Sequence, residues 1–177
     1  MTSPCCWSRR ETDMHDGAAF YAKQGTTYLI KLVGDIRYTM GCALADFLDE
    51  LFTRADYDGI VVDLTETHSI DSTSLGLLAK IANFSRSRFD RKTTLFSTNP
   101  DVNQVLETMG FGEIFDIRDT GETISETLRQ LSITEPCKDD LTRIVFEAHQ
   151  TLSDLNPHNL EAFKGVVENL RAKLDGH

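Results

Sequence analysis

The run Gly59-Ile60-Val61-Val62-Asp63-Leu64 constrains this chain more than any other. It is β-branched and apolar with no clean alternation, which predicts a central parallel strand covered on both faces. Such a strand needs neighbours, and the flanking sequence supplies them. Ala18–Lys23 and Thr27–Val33 read as two short strands joined by a turn at Gln24-Gly25. Leu44, Phe47, Leu48, Leu51 and Phe52 follow helical spacing and predict a helix that ends near Asp58-Gly59. Beyond the polar stretch Thr65–Ser69 a second helix starts around Asp71, with a buried stripe of Leu75, Leu78, Ile81, Ala82, Ser85 and Phe89. Thr93–Thr98 reads as a strand, and Val102, Val105, Leu106 and Met109 mark a third helix closed by a left-handed Gly110. A short strand, Glu113–Ile117, and a fourth helix opening near Thr120, with Ile124, Leu128 and Leu131 on one side, complete the series. Two leading strands followed by alternating units predict an α/β fold, a mostly parallel sheet of about five strands with helices packed on it.

The pattern changes near Thr134-Glu135-Pro136, where no further strand follows. Leu141, Ile144, Val145, Ala148, Leu152 and Leu155 define one amphipathic helix. Asn156-Pro157 is a stop and restart, with Asn capping and Pro in the first helical position. Leu160, Phe163, Val167, Leu170 and Leu174 then recur in alternating steps of three and four, a heptad-like seam. The division expected is a polar extension over residues 1–17, an α/β domain over 18–131 and a helical hairpin over 134–177. The hairpin either packs on the sheet domain or offers a second surface, including a homodimer contact through its seam.

Composition narrows the function. With 18 basic and 28 acidic residues the formal charge is −10, so the chain repels phosphate backbones and nucleic acid is an unexpected partner. Arg86, Arg88, Arg91 and Lys92 form the main basic cluster, but they lie where a helix should end and complement its dipole. No apolar run approaches the ~20 residues that span a bilayer. The opening MTSPCCWSRRETDMHDG lacks the apolar core of a signal peptide, and Cys5, Cys6, Cys42 and Cys137 show no CxxC spacing. A cytoplasmic protein without membrane, metal or cofactor is the expectation.

Chemistry concentrates at Asp63-Leu64-Thr65-Glu66-Thr67-His68-Ser69-Ile70-Asp71-Ser72-Thr73-Ser74-Leu75-Gly76. A buried strand leads through a loop to a helix that starts with four small polar residues. One of them suffices to cap a helix; four in a row ahead of Leu75 predict an exposed surface rich in hydroxyls and apolar groups. Val61-Val62-Asp63-Leu64 with Ile70-Asp71-Ser72-Thr73-Ser74-Leu75-Gly76 resembles the signature of the STAS domain family, and within it the bacterial anti-sigma factor antagonists. The Gly34-Asp35-Ile36 turn, Asn99-Pro100-Asp101-Val102 and Met109-Gly110-Phe111-Gly112-Glu113-Ile114-Phe115 are similar to further features of that family. Ser74 stands where the family has glycine. The resemblance implies a non-enzymatic phosphorylation switch. Ser72 is the implied phosphoacceptor, and Asp35, Asp71, Ser72, Thr73, Ser74 and Leu75 are the implied partner-binding residues. The implied partners are an anti-sigma factor, a serine kinase of ATPase-like fold and a PP2C-type phosphatase.

Other functions remain to be weighed. The alternative is a phospho-switch adaptor that controls a signalling enzyme outside transcription. Ser72, His68 and Asp71 are triad residue types, yet they fall within five positions and no G-x-S-x-G surrounds Ser72. Asp63 ends a predicted strand, as a receiver-domain phosphoacceptor would, but the acidic pair and the lysine such domains need are missing from the leading strands and from Glu113–Arg118. His149 lies on a helix, as in histidine phosphotransfer modules, and is expected on a solvated face. Phosphate-binding glycine motifs are absent.

Overall fold

The structure, a computed structural model, describes residues 17–120, 127–132 and 138–176. Six strands form one sheet in the order β5-β4-β3-β2-β1-β6. β1 (Ala18–Gln24) and β2 (Thr27–Ile36) are an antiparallel hairpin, while β2, β3 (Gly59–Ile70), β4 (Thr93–Phe96) and β5 (Phe115–Arg118) run parallel. The crossovers carry α1 (Gly41–Thr53), α2 (Ser72–Phe89), and then α3 (Pro100–Thr108) with the single turn α4 (Phe111–Ile114). All three crossovers step the same way along the sheet, so their common right hand puts these helices on one face. There the row Tyr21, Ile30, Val62, Leu95 and Ile117 faces the helices, and Ile30, Val62 and Leu95 are fully buried.

Several expectations are corrected. β3 is not a short strand covered equally on both faces. It runs to Ile70, because two register shifts in β2 let Asp35 and Ile36 pair with Ser69 and Ile70. The polar stretch Thr65–Ser69 is therefore strand, held by a neighbour that local propensity does not see. Its second face carries the half-buried row Phe20, Lys31, Asp63 and Phe96. β5 starts at Phe115, since Phe111–Ile114 close a helical turn behind Gly110, whose φ of 78° suits glycine. The expected fourth helix is also revised. Ile124 lies outside the described residues, while Arg129–Gln130 form β6 and pair with Phe20 and Tyr21 of β1. The Leu131 amide continues this by donating to the Ala19 carbonyl at 2.8 Å. An edge strand leaves a row of unpaired backbone groups, and this short segment covers part of it.

The C-terminal hairpin forms as its sequence predicts. α5 (Lys138–Ser153) and α6 (Pro157–Asp175) are joined at Asn156, whose side chain accepts from the Asn159 amide, with Pro157 in the first turn. α5 packs on α2 and α1, and α6 packs along α5. Phe163, Val167, Leu170 and Leu174 are half-buried, while Leu160, grouped with them by spacing, is 55% exposed. Polar contacts also tie the hairpin down. Lys80 pairs with Glu147 at 2.8 Å, and Asn159 and Asn156 both donate to the Met109 carbonyl, at 3.0 and 3.3 Å. The closest approach is at Gly76. A Cβ there would lie 2.3 Å from the Ala148 carbonyl oxygen and 2.6 Å from its Cα, so only glycine lets the two backbones meet.

Two outcomes follow from this packing. Leu64→Ala, at a fully buried site in the middle of the sheet, lowers global stability by about 2–5 kcal/mol in denaturant unfolding. Gly76→Ala lowers the thermal midpoint, although alanine is favoured over glycine in a free helix by about 1 kcal/mol. A raised midpoint would show that α5 does not press on α2 as described.

Candidate functional site

The site lies where β2 and β3 end and α2 begins. The Asp71 amide donates to the Ile36 carbonyl at 3.0 Å, which ties the entry of α2 to the end of β2. Asp71 is the N-cap: its backbone is extended and its carboxylate accepts from the Ser74 amide at 2.8 Å. One of the four otherwise unpaired amides of the helix start is thereby satisfied. Asp35, at the end of β2, accepts from the Ser69 hydroxyl at 2.8 Å across the β2–β3 pair.

The six candidate binding residues divide into two groups. Asp35, Asp71 and Ser72 are half-buried and reach the surface at this corner of the sheet. Thr73, Ser74 and Leu75 are buried, contrary to the exposed hydroxyl-rich surface expected of them. Thr73 faces the start of α1, with its methyl group 3.5 Å from where a Cβ on Gly41 would stand. The stripe expected on one side of α2 is also too narrow. Leu77 and Ala79 are buried as well, because the sheet lies below the helix and α5 above it.

Ser72 has a partner that sequence spacing did not suggest. Its Oγ lies 2.9 Å from Nε2 of His149 on α5. The other ring nitrogen, Nδ1, is 2.8 Å from the Val145 carbonyl. A carbonyl only accepts, so Nδ1 carries a proton; in a neutral ring Nε2 then accepts from the Ser72 hydroxyl. His149 is 6% exposed, with the Phe163 ring edge-on at 5.3 Å between centroids, so the solvated position expected for it is overturned. The available signal was helical spacing. Val145, His149 and Leu152 stand four and three residues apart, which puts the histidine on the apolar side of α5. The local set of Ser72, His68 and Asp71 forms no triad: Asp71 is committed to its cap, and His68 is exposed in β3.

Asp63 is placed differently from a strand-end phosphoacceptor. It is the fifth residue of the twelve in β3 and lies on the open side of the sheet. Its carboxylate takes the Thr65 amide at 2.8 Å and the Thr65 hydroxyl at 2.6 Å, and pairs with Lys31 at 3.1 Å. Burial lowers the Lys31 pKa, but the hydrogen bonds to Glu66 and Asp63 outweigh it and leave the ammonium above its ordinary value. Asp63 thus braces β2 against β3. Among the basic residues, Arg86 and Arg88 sit in the last turn of α2, Arg91 binds Asp58, and Lys92 donates to the Gly112 carbonyl. Among the described residues no three His, Cys, Asp or Glu side chains gather as metal ligands, and no helix is long and apolar enough to cross a membrane.

Comparison with known proteins agrees with this architecture. Residues 20–129 match the STAS domain. An anti-sigma factor antagonist from Mycobacterium paratuberculosis superposes with a TM-score of 0.53 at 14% identity, covering 59% of this chain and 87% of that one. The phosphorylated form of SpoIIAA, a Bacillus cell fate determinant, gives a TM-score of 0.47 at 15% identity, covering 57% and 90%. Comparison with curated proteins finds no match. With its strand order, its Asp71-capped α2 and a match over more than half its length, the chain belongs to the STAS domain family.

Proposed function

We propose that this STAS protein is a phospho-regulated anti-sigma factor antagonist with Ser72 as its switch. The observation that carries this is the place of Ser72, the first residue of α2, beside its Asp71 cap at the surface corner where β2 and β3 end. In this proposal the unmodified protein binds an anti-sigma factor or kinase-like partner in the cytoplasm. A serine kinase of ATPase-like fold modifies Ser72, and a PP2C-type phosphatase restores it. The protein itself performs no catalysis.

The electrostatics support such a switch. A phosphate brings about −1.5 to −2 charges. At a helix start the partial positive charge of the free amides tolerates it, so the domain stays folded. In an interface the same group is desolvated, and beside Asp71 it adds like charge, so docking fails. An output outside transcription, through another signalling enzyme, would use the same corner.

The Ser72–His149 hydrogen bond is the one observation that favours a rival reading, a nucleophilic serine oriented by a histidine. The two are separable. Ser72→Ala bait captures a partner that Ser72→Asp bait loses, at least tenfold, in affinity purification with mass spectrometry; equal capture by both would remove Ser72 from the interface. A fluorophosphonate probe leaves the wild-type protein unlabelled, whereas labelling that disappears in His149→Ala would establish a hydrolase instead.

A further inference from the structure

We propose that the C-terminal hairpin is a built-in cover over Ser72, and that the docked hairpin and a phosphate on Ser72 exclude one another. This rests on Ser72 being the phosphoacceptor. One face of α2 presents Ser72, Gly76 and Lys80 at four-residue spacing. Each meets α5: Ser72 at His149, Gly76 at the Ala148 backbone, and Lys80 at Glu147. The helix α5 thus covers the Ser72 side of the corner and leaves half-buried Asp35 and exposed Ser69 open to a partner of the unmodified protein.

The chemistry makes the two occupants incompatible. Docked, the Ser72 hydroxyl is hydrogen-bonded to Nε2 of a buried histidine, and with a neutral ring it spends its only proton there. On phosphorylation the bond from the γ-phosphorus of a nucleoside triphosphate to its bridging oxygen breaks, the bond from phosphorus to Oγ forms, and the hydroxyl proton leaves to a base of the kinase. The hydrogen bond to His149 loses its donor, and three charged oxygens must fit where the imidazole now stands. One turn further on, the backbone of Ala148 fills the place where a Cβ on Gly76 would stand, so α5 lies close against α2. A phosphate on the side of Ser72 that faces α5 therefore has no space while the hairpin is docked. Opening of the hairpin comes first, modification then holds it open, and the docked form keeps the Ser72 oxygen engaged with His149. Because the phosphate binds only the open form, it shifts the population toward that form.

The test is amide hydrogen exchange read by mass spectrometry on the full chain in five versions. These are wild type, Ser72→Ala, Ala148→Arg, Glu147→Lys and a chain with phosphoserine incorporated at position 72. Residues 141–153 exchange at least tenfold faster with phosphoserine and with Ala148→Arg than in wild type or Ser72→Ala, while residues 59–66 of β3 keep their wild-type rate. Should Ala148→Arg also loosen β3, Glu147→Lys, which reverses the pair with Lys80, takes its place. Exchange in α5 at or below the wild-type rate with phosphoserine, as a phosphate paired to a charged His149 would produce, overturns the cover. That result together with Ser72-dependent partner capture removes the cover alone. Release of α5 with no Ser72-dependent partner removes the partner proposal and leaves the cover standing.

Discussion

The structure depends on the burial of α2 from two sides. Leu75, Gly76, Leu77, Leu78 and Ala79 form an unbroken apolar run in α2, all of it buried, and a helix segment apolar all round must be enclosed. The sheet supplies one wall and α5 the other. Burying a leucine is worth about 1.5–3 kcal/mol, whereas one neutral hydrogen bond nets about 0.5–1.5 kcal/mol. Apolar packing by Ile144, Ala148 and Leu152 therefore holds the hairpin down, and the Ser72–His149 bond mainly sets where it sits. A desolvated charge costs several kcal/mol, the same order as this packing. In the proposed switch, a phosphate at Ser72 and the docked hairpin would therefore be of comparable weight.

The opposite side of the sheet shows how charge is used structurally. Lys31 on β2 bridges Asp63 and Glu66 on β3, between the aromatic rings of Phe20 and Phe96 in the same row. Asp63 falls in this row because β3 continues six residues beyond Leu64, alongside a bulged β2. An aspartate that seemed to end a strand is a mid-strand brace, and the chemistry-bearing corner moves to Asp35, Ser69, Asp71 and Ser72.

Much of this was legible because it is local. The hairpin turn at Gln24-Gly25, the Asp71 cap, the Asn99-Pro100 start of α3, the left-handed Gly110 and the Asn156-Pro157 restart are all decided within a few residues. What was misread depended on pairing across the chain. Thr65–Ser69 look like loop until β2 lies beside them, and Arg129–Gln130 look like the end of a helix until β1 offers its edge. Thr73 and Ser74 look like surface until α1, the sheet and α5 enclose them.

The amino-acid order alone determined the parallel α/β core and the two-helix tail, and the resemblance of one short motif pointed to Ser72. Periodicity, caps and one short motif act over a turn or a strand at a time. Only the tertiary structure brought His149 to Ser72 from 77 residues away and set Ala148 against Gly76. No local rule specifies which apolar face a second helix will choose. That choice is made by the shape and the total apolar area of the assembled surface.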